Sequence, residues 1–339
     1  MPLKSTYSAK LPAASAIVLA FALAGCATTP STGSAPLVTP VAETDTGTPV
    51  VRPTADIGTF FENYDSAQLE LSPLSKAYRG IRDEDYGRWG DFSDAAELRE
   101  ERLLQNSADA MRAAYELGEL PEQDALSYRL FDAMAQRSAA TFPYREYGYV
   151  FDQMNGAQSQ LPAFLINIHS VADESQARDY ISRIRGIGPG LDTLIAESRE
   201  RAAAGVMPPK WVYPYVISDV NNLLSADTDN AVLEDFAAKV GKLSIADATK
   251  ADLIAQATAA WTGSAAPAYT RLLAEMQRQQ ALAGTDDGVW RFPQGAQYYD
   301  ALLSNYTTTD LTADQIHNIG LREIDRIHGE MRALSLIHI

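Results

Sequence analysis

The sequence predicts an all-α fold, and three observations support this. Apolar residues recur at three- and four-residue spacing along most of the chain, which is the period of a helix with one buried face. No alternation of apolar and polar residues lasts long enough to build a sheet. Capping residues precede several of the apolar runs. With 339 residues, 46% of them hydrophobic, the chain can bury one large core or two smaller ones.

The first 25 residues have the features of a signal peptide. Two lysines precede a short apolar run over 11–23, too short to span a bilayer as a permanent helix. The motif Leu23-Ala24-Gly25-Cys26 resembles a bacterial lipoprotein signal, in which the cysteine carries the lipid. We therefore predict a signal peptide over 1–25, lipidation of Cys26, and an envelope location facing the periplasm, with the outer membrane favoured. An ordinary secretory signal is the alternative.

Residues 26–56 are predicted to form a disordered tether, because they are rich in Thr and Pro and hold no aromatic residue. A first helix follows over Ile57–Leu71, its three aromatic residues facing inward, and it ends at Ser72-Pro73. After a Gly- and Asp-rich connection, Ser93 is predicted to cap a helix that runs to Leu117.

The middle of the chain is predicted to contain one long helix. Pro121 suits the first residue of a helix to about residue 138, and the mixed stretch 142–171 is compatible with a short strand. Asp173 caps the long helix, but Gly186–Gly190 includes Pro189, which has no N–H, so we expect a kink or a break there. The remaining predictions are a turn over 205–214, helices over 214–224, 231–241 and 246–282 (broken at Pro267), and a loop over 286–293.

A closing pair of helices is predicted between Tyr298 and Met331. Thr312 and Gln315 form a capping box at the start of the second helix. We expect this helix to end before residues 334–339. Its apolar stripe consists of Ile316, Ile319, Ile324, Ile327 and Met331.

Charge and residue types exclude several functions. A formal net charge of −16 argues against nucleic-acid binding, and a single cysteine excludes an intrachain disulfide and a Cys-based zinc site. Of the four histidines, His317 and His328 return to one helical face about 16 Å apart, too far to share an ion. No Gly-x-Ser-x-Gly motif is present, and Gly186–Gly190 lacks the preceding strand of a phosphate loop. We predict no catalytic residue and no metal ligand.

Two residues are candidates for substrate binding. His169 lies in an apolar segment, and Lys210 stands between Pro209 and Trp211, where an ammonium group could hold a carboxylate. The alternatives are a packed histidine and a lysine whose stem lies on Trp211 with its charge in water.

Four segments together resemble the bacterial family of domain of unknown function 885. They are Leu161–Ser170, Tyr180–Thr193, Ala204–Tyr213 and Tyr298–Met331. The resemblance implies a mostly helical, channel-forming, zincin-like architecture, of which 57–333 would be the N-terminal part and 334–339 a non-native tail.

The resemblance also implies an activity. Family members resemble metallopeptidases whose zinc is held by a His-Glu-x-x-His helix, and this motif has no counterpart in the present sequence. We therefore expect the N-terminal part of a membrane-anchored zinc peptidase, inactive alone, with zinc and a peptide substrate only in the full-length protein. The alternative is a non-enzymatic helical lipoprotein that acts as a binding or scaffold module.

Overall fold

The computed structural model describes residues 49–225 and 230–338, which belong to one compact unit, Val41–Ile339. The predicted signal peptide, Cys26 and most of the predicted tether lie outside these residues. The described part of the chain is helical and has no strand, which confirms the all-α fold class. The short strand considered for 142–171 is therefore wrong. None of the described helices combines the length and the apolar character needed to cross a membrane.

The described residues contain twelve α-helices, with three 3₁₀ turns and one π turn between some of them. The helices are α1 (Ile57–Leu71), α2 (Pro73–Tyr78), α3 (Asp94–Ala114), α4 (Glu122–Thr141), α5 (Ala157–Asn167), α6 (Glu174–Ala203), α7 (Tyr213–Ser225), α8 (Ala231–Gly241), α9 (Asp247–Ala260), α10 (Ala266–Leu282), α11 (Gly295–Thr307) and α12 (Ala313–His338). The 3₁₀ turns are Leu117–Glu119, Phe142–Tyr147 and Val289–Arg291, and the π turn is Trp261–Ala265.

A smaller core joins α1, α3 and α4. The ring of Phe131 meets Tyr64 edge-on at 4.7 Å and Phe60 at 5.9 Å, so the aromatic face predicted for α1 is confirmed. Val51 is buried in the same core, and its N–H donates to Ser107 Oγ at 3.1 Å. Packed structure therefore begins before the predicted boundary at residue 57.

The larger core surrounds α6. The side chain of Asp173 accepts a hydrogen bond from the N–H of Gln176, as the capping prediction requires. The predicted inward face of α6 is buried throughout: Ala177, Ile181, Ile184, Leu191 and Ile195. Helices α5, α9 and α10 and the π turn pack on α6, and α7 packs on α10.

Of the kink or break predicted at Pro189, the break is wrong, because α6 runs without interruption from Glu174 to Ala203, and the kink stays a prediction. Pro189 has no N–H for the carbonyl of Arg185, one helical turn earlier. The hydroxyl of Ser264, in the π turn, donates to that carbonyl at 2.6 Å instead. Gly188 makes this approach possible, because a Cβ there would lie 3.0 Å from the Ser264 carbonyl oxygen and closer still to its hydroxyl.

Helix α5 was not predicted from the sequence. It also contains a proline whose missing N–H is replaced by a side-chain donor from another element. Pro162 is the sixth residue of α5 and leaves the carbonyl of Gln158 without a helical donor. The buried hydroxyl of Tyr269, on α10, donates to this carbonyl at 3.0 Å. Residues of the π turn and the start of α10 thus complete the backbone hydrogen bonding of two proline-containing helices.

Smaller differences concern helix ends. Helix α2 was not predicted, and it begins at Pro73, where the first helix was expected simply to stop. Ser93 precedes α3, but its side chain makes no capping hydrogen bond. Helix α3 ends at Ala114, before the predicted Leu117, and Pro121 is the N-cap of α4 and not its first residue. The predicted break at Pro267 is wrong: Pro267 is the second residue of α10, and the π turn Trp261–Ala265 precedes it.

The closing pair forms as α11 and α12, separated by a turn in which Thr308 has φ 55°. The capping box is confirmed: Thr312 N–H donates to Gln315 Oε1 at 2.8 Å and Gln315 N–H donates to Thr312 Oγ1 at 3.3 Å. Helix α12 continues to His338, so the expectation that it ends before 334–339 is wrong.

Candidate functional site

Helix α12 exposes four of the five residues of the apolar stripe that the sequence predicted, and Ile316 is half-buried. Ile319, Ile324, Ile327 and Met331 are exposed to 38, 50, 43 and 60%. Neither core of the described residues contains a side chain from this helix. A contiguous apolar face of this kind marks an interaction surface or an aggregation site on an otherwise soluble protein. We refer to these four residues as the α12 face.

Helix α11 is attached to the body through aromatic rings. Tyr298 meets Tyr147 at 5.4 Å and Tyr144 at 5.8 Å, and Tyr147 also meets Phe292 at 5.0 Å. Such pairs stabilise a contact by about 0.5–1.5 kcal/mol beyond the area they bury. The aromatic contacts therefore fix α11, while α12 extends from it without a comparable partner among the helices described.

His169 lies in the larger core and lines neither of the pockets described below. Its Nε2 lies 3.2 Å from the carbonyl of Gln176 and its Nδ1 lies 3.4 Å from Nη1 of Arg183, a pattern that fits a neutral ring protonated at Nε2. Burial, and then the charge of Arg183, lower the pKa of His169 to about 3. The substrate-binding role of His169 stays a prediction, and its position is that of a packed, neutral histidine.

Arg183 is a buried residue that the sequence analysis did not single out. Its guanidinium lies 4.6 Å from the centre of the Phe164 ring and within 6 Å of the rings of Tyr86 and Trp89. Its Nε donates to the carbonyl of Arg88 at 3.1 Å, and burial lowers its pKa to about 10. Arg183 thus links α5, α6 and the connection before α3.

Lys210 is exposed and lies well outside this buried network. Its backbone N–H donates to the carbonyl of Gly284 at 3.0 Å, and neighbouring Trp211 is half exposed beside Tyr215. No hydrogen bond or ion pair engages its ammonium group within the part of the chain that is described. The structure does not bring Lys210 into contact with His169.

Two concave sites share Trp89 and Phe92 in their lining. The larger, the Trp89 cleft, has a volume of about 650 Å³ and an open, mixed lining that includes Gly186, Gly190 and Arg88. Its charged groups are satisfied internally, since Arg99 pairs with Asp91 at 2.6 Å.

The second site, which we call the Glu97 pocket, has a volume of about 320 Å³. Most of its lining is apolar, including Leu74, Tyr78, Leu161, Phe164 and Leu194. Its polar lining consists of Glu97, Asn155, Gln160 and Arg201. An apolar cavity with a few convergent polar groups is the usual form of a small-ligand site.

A zinc site is not available in the residues described. Over 49–225 and 230–338, no group of three or more His, Cys, Asp or Glu side chains could hold a metal ion. The three or four protein ligands of a typical zinc site are therefore not assembled in this part of the chain.

Comparison with known proteins identifies relatives of the chain. Residues 73–336 match the model of a family described as bacterial protein of unknown function (DUF885). The crystal structure of a putative lipoprotein from Colwellia psychrerythraea superposes with a TM-score of 0.72 at 21% identity, over 82% of this chain and 51% of that chain. The chain thus spans about half the length of that protein, and the likeness extends to the fold. No curated protein matches the chain.

Proposed function

Because the chain belongs to the bacterial family of unknown function DUF885, we propose that it is the N-terminal helical part of a lipid-anchored zinc peptidase of the cell envelope. The observation that carries the proposal is the α12 face. A helix of 26 residues, with eight large apolar side chains exposed, those of the α12 face among them, and none in a core, is suited to packing against further protein.

The length of this chain relative to the Colwellia protein supports the same proposal. The chain covers about half of the Colwellia protein, so a comparable amount of chain is available there to cover the α12 face. We propose that residues beyond this sequence supply the zinc ligands and the glutamate that activates water. The described helices would then form the walls that hold the substrate.

Lipidation of Cys26 and an envelope location are part of the proposal. The signal-like sequence before Cys26 supports both, and the Colwellia protein is itself described as a lipoprotein. We propose that the anchor faces the periplasm, on the outer membrane. Cys26→Ser is expected to move the protein from the membrane fraction to the soluble fraction of its host. A C26S variant that stays membrane-bound would contradict the anchor.

The activity is tested on the product of the complete reading frame. Metal analysis should find about one zinc per chain, and the zinc-loaded protein should hydrolyse peptides in a reaction that a chelator stops. The present chain, purified in parallel, should do neither. A complete product that holds no zinc and cleaves no peptide would contradict the peptidase and leave the binding or scaffold module as the function.

A further inference from the structure

The Glu97 pocket has the features of a recognition site that nothing above uses. Its lining comes mainly from α2, α5 and α6, and the exposed Glu97, in the first turn of α3, also lines it. Its volume of about 320 Å³ lies at the lower end of the range for ligand sites, about 300–1,000 Å³, and so suits one bulky side chain with its adjoining backbone.

Three of the four polar side chains that line the pocket, Glu97, Asn155 and Gln160, are exposed to solvent, so a ligand can reach them. Within the described residues, no hydrogen bond or ion pair engages any of the three. Arg201, by contrast, is partly engaged: Nη1 donates to the carbonyl of Gly148 at 3.0 Å and Nη2 lies 3.5 Å from the carboxylate of Glu197, while its buried Nε has no hydrogen-bond partner in the described residues. The pocket therefore offers one carboxylate without a partner and two carboxamides.

These groups match one end of a peptide. A free α-ammonium pairs with a carboxylate, a peptide amide pairs with a carboxamide, and an apolar side chain gains by leaving water. We propose that the Glu97 pocket binds the N-terminal residue of a peptide, with a bulky apolar side chain in the cavity, the α-ammonium on Glu97, and the first peptide group on Asn155 and Gln160.

The electrostatics agree with a cationic ligand group. Partial desolvation raises the pKa of the exposed Glu97, the charges of Arg201 and Arg145 oppose this rise, and those of Asp94 and Glu197 add to it. Three carboxylates thus face two arginines here, and the balance favours a cation. The net charge of the whole chain, −16, also attracts cations. The choice of a peptide as the ligand rests on the proposed function.

Calorimetric titration of the chain with L-phenylalaninamide and with N-acetyl-L-phenylalaninamide tests this inference. The first probe carries the ammonium and should bind with a Kd of about 1 mM or tighter. The acetylated probe lacks the charge and should bind about tenfold more weakly. Glu97→Gln should weaken phenylalaninamide about tenfold and leave the acetylated probe unchanged.

Glu100→Gln is the matched control. Glu100 lies one turn further along α3, its pKa is likewise raised by burial, and it does not line the pocket. This variant should bind both probes as the original chain does. Ala157→Leu should abolish binding of both probes by filling the cavity. If a thermal melt shows that this variant is unfolded, the comparison of E97Q with E100Q still tests the inference.

Equal affinity of phenylalaninamide for E97Q and E100Q would overturn the inference, as would undiminished binding to a folded A157L or no binding of phenylalaninamide at all. These titrations need no metal. A chain that fails to bind, while the complete product still hydrolyses peptides, would remove this site and leave the proposed function intact.

Discussion

Tyr269→Phe tests whether a side chain of α10 completes the hydrogen bonding of α5. The substitution removes one hydroxyl and keeps the ring, so its effect reports the bond from Tyr269 to the carbonyl of Gln158, 3.0 Å long. Both the ring and the bond are buried, and Pro162 leaves this carbonyl without a helical donor. A buried polar group left unsatisfied costs about 1–3 kcal/mol.

We expect Tyr269→Phe to lower the free energy of unfolding by about 2 kcal/mol, measured by urea denaturation followed by far-UV circular dichroism. Tyr215→Phe is the matched control, because Tyr215 is 59% exposed and its hydroxyl makes no hydrogen bond in the described residues. The control should change stability by less than about 0.5 kcal/mol.

Ser264→Ala probes the equivalent bond at Arg185, which is open to solvent. Water can replace the lost hydroxyl there, so the expected cost is smaller, about 1 kcal/mol or less. Equal stability of Tyr269→Phe and Tyr215→Phe would refute the reasoning, since it would show that Pro162 needs no compensating donor.

Three further predictions concern packing, pH and the α12 face. Gly188→Ala should cost about 2 kcal/mol because its Cβ would collide with the π turn, whereas Gly263→Ala, whose Cβ meets open space, should be neutral or stabilising in the same denaturation assay. Burial raises the pKa of Glu275, but hydrogen bonds from two arginines and a glutamine outweigh burial and lower this pKa to about 2 from 4.5. The stability that this shift contributes is present above about pH 4.5 and is lost as the pH falls towards 2. Glu275→Gln should remove this part of the pH dependence of unfolding. Ile327→Lys should change the free energy of unfolding by less than about 0.5 kcal/mol and should reduce aggregation in light scattering. Ile184→Ala in the core should lower the free energy of unfolding by about 2–5 kcal/mol. A large loss of stability in I327K would show that the α12 face is already packed.

The parts of the fold that local chemistry determines could be predicted from the sequence. Asn230 caps α8 through hydrogen bonds to the N–H groups of Val232 and Leu233, and the helix has the predicted bounds. The capping box of α12 is equally local. In both cases the residues that start the helix lie within three positions of each other.

The errors arose where a distant residue supplies the missing interaction. Pro189 was expected to kink or break a helix, and α5, which contains Pro162, was not predicted. Ser264 and Tyr269 donate to the carbonyls that these prolines leave open, from 79 and 111 residues away. No local pattern indicates such a partner.

The candidate sites were hard to predict for a related reason. The Glu97 pocket combines walls from several separate elements, and no single motif marks it. One feature of the sequence could have indicated the position of His169. Arg183 is a charged residue beside the apolar positions of α6, and it lies 14 residues along the chain from His169. This pair could have indicated that His169 is an internal partner of Arg183.

The most direct test of the central claim is whether this chain forms a complex with the C-terminal part that we propose for the full-length protein. The two parts, expressed separately and mixed, are run on a sizing column and assayed for peptide cleavage. We predict that they elute together and that cleavage appears only in the mixture, with Ile327→Lys weakening both. A chain that stays monomeric, melts cooperatively and does not bind the second part would contradict the claim.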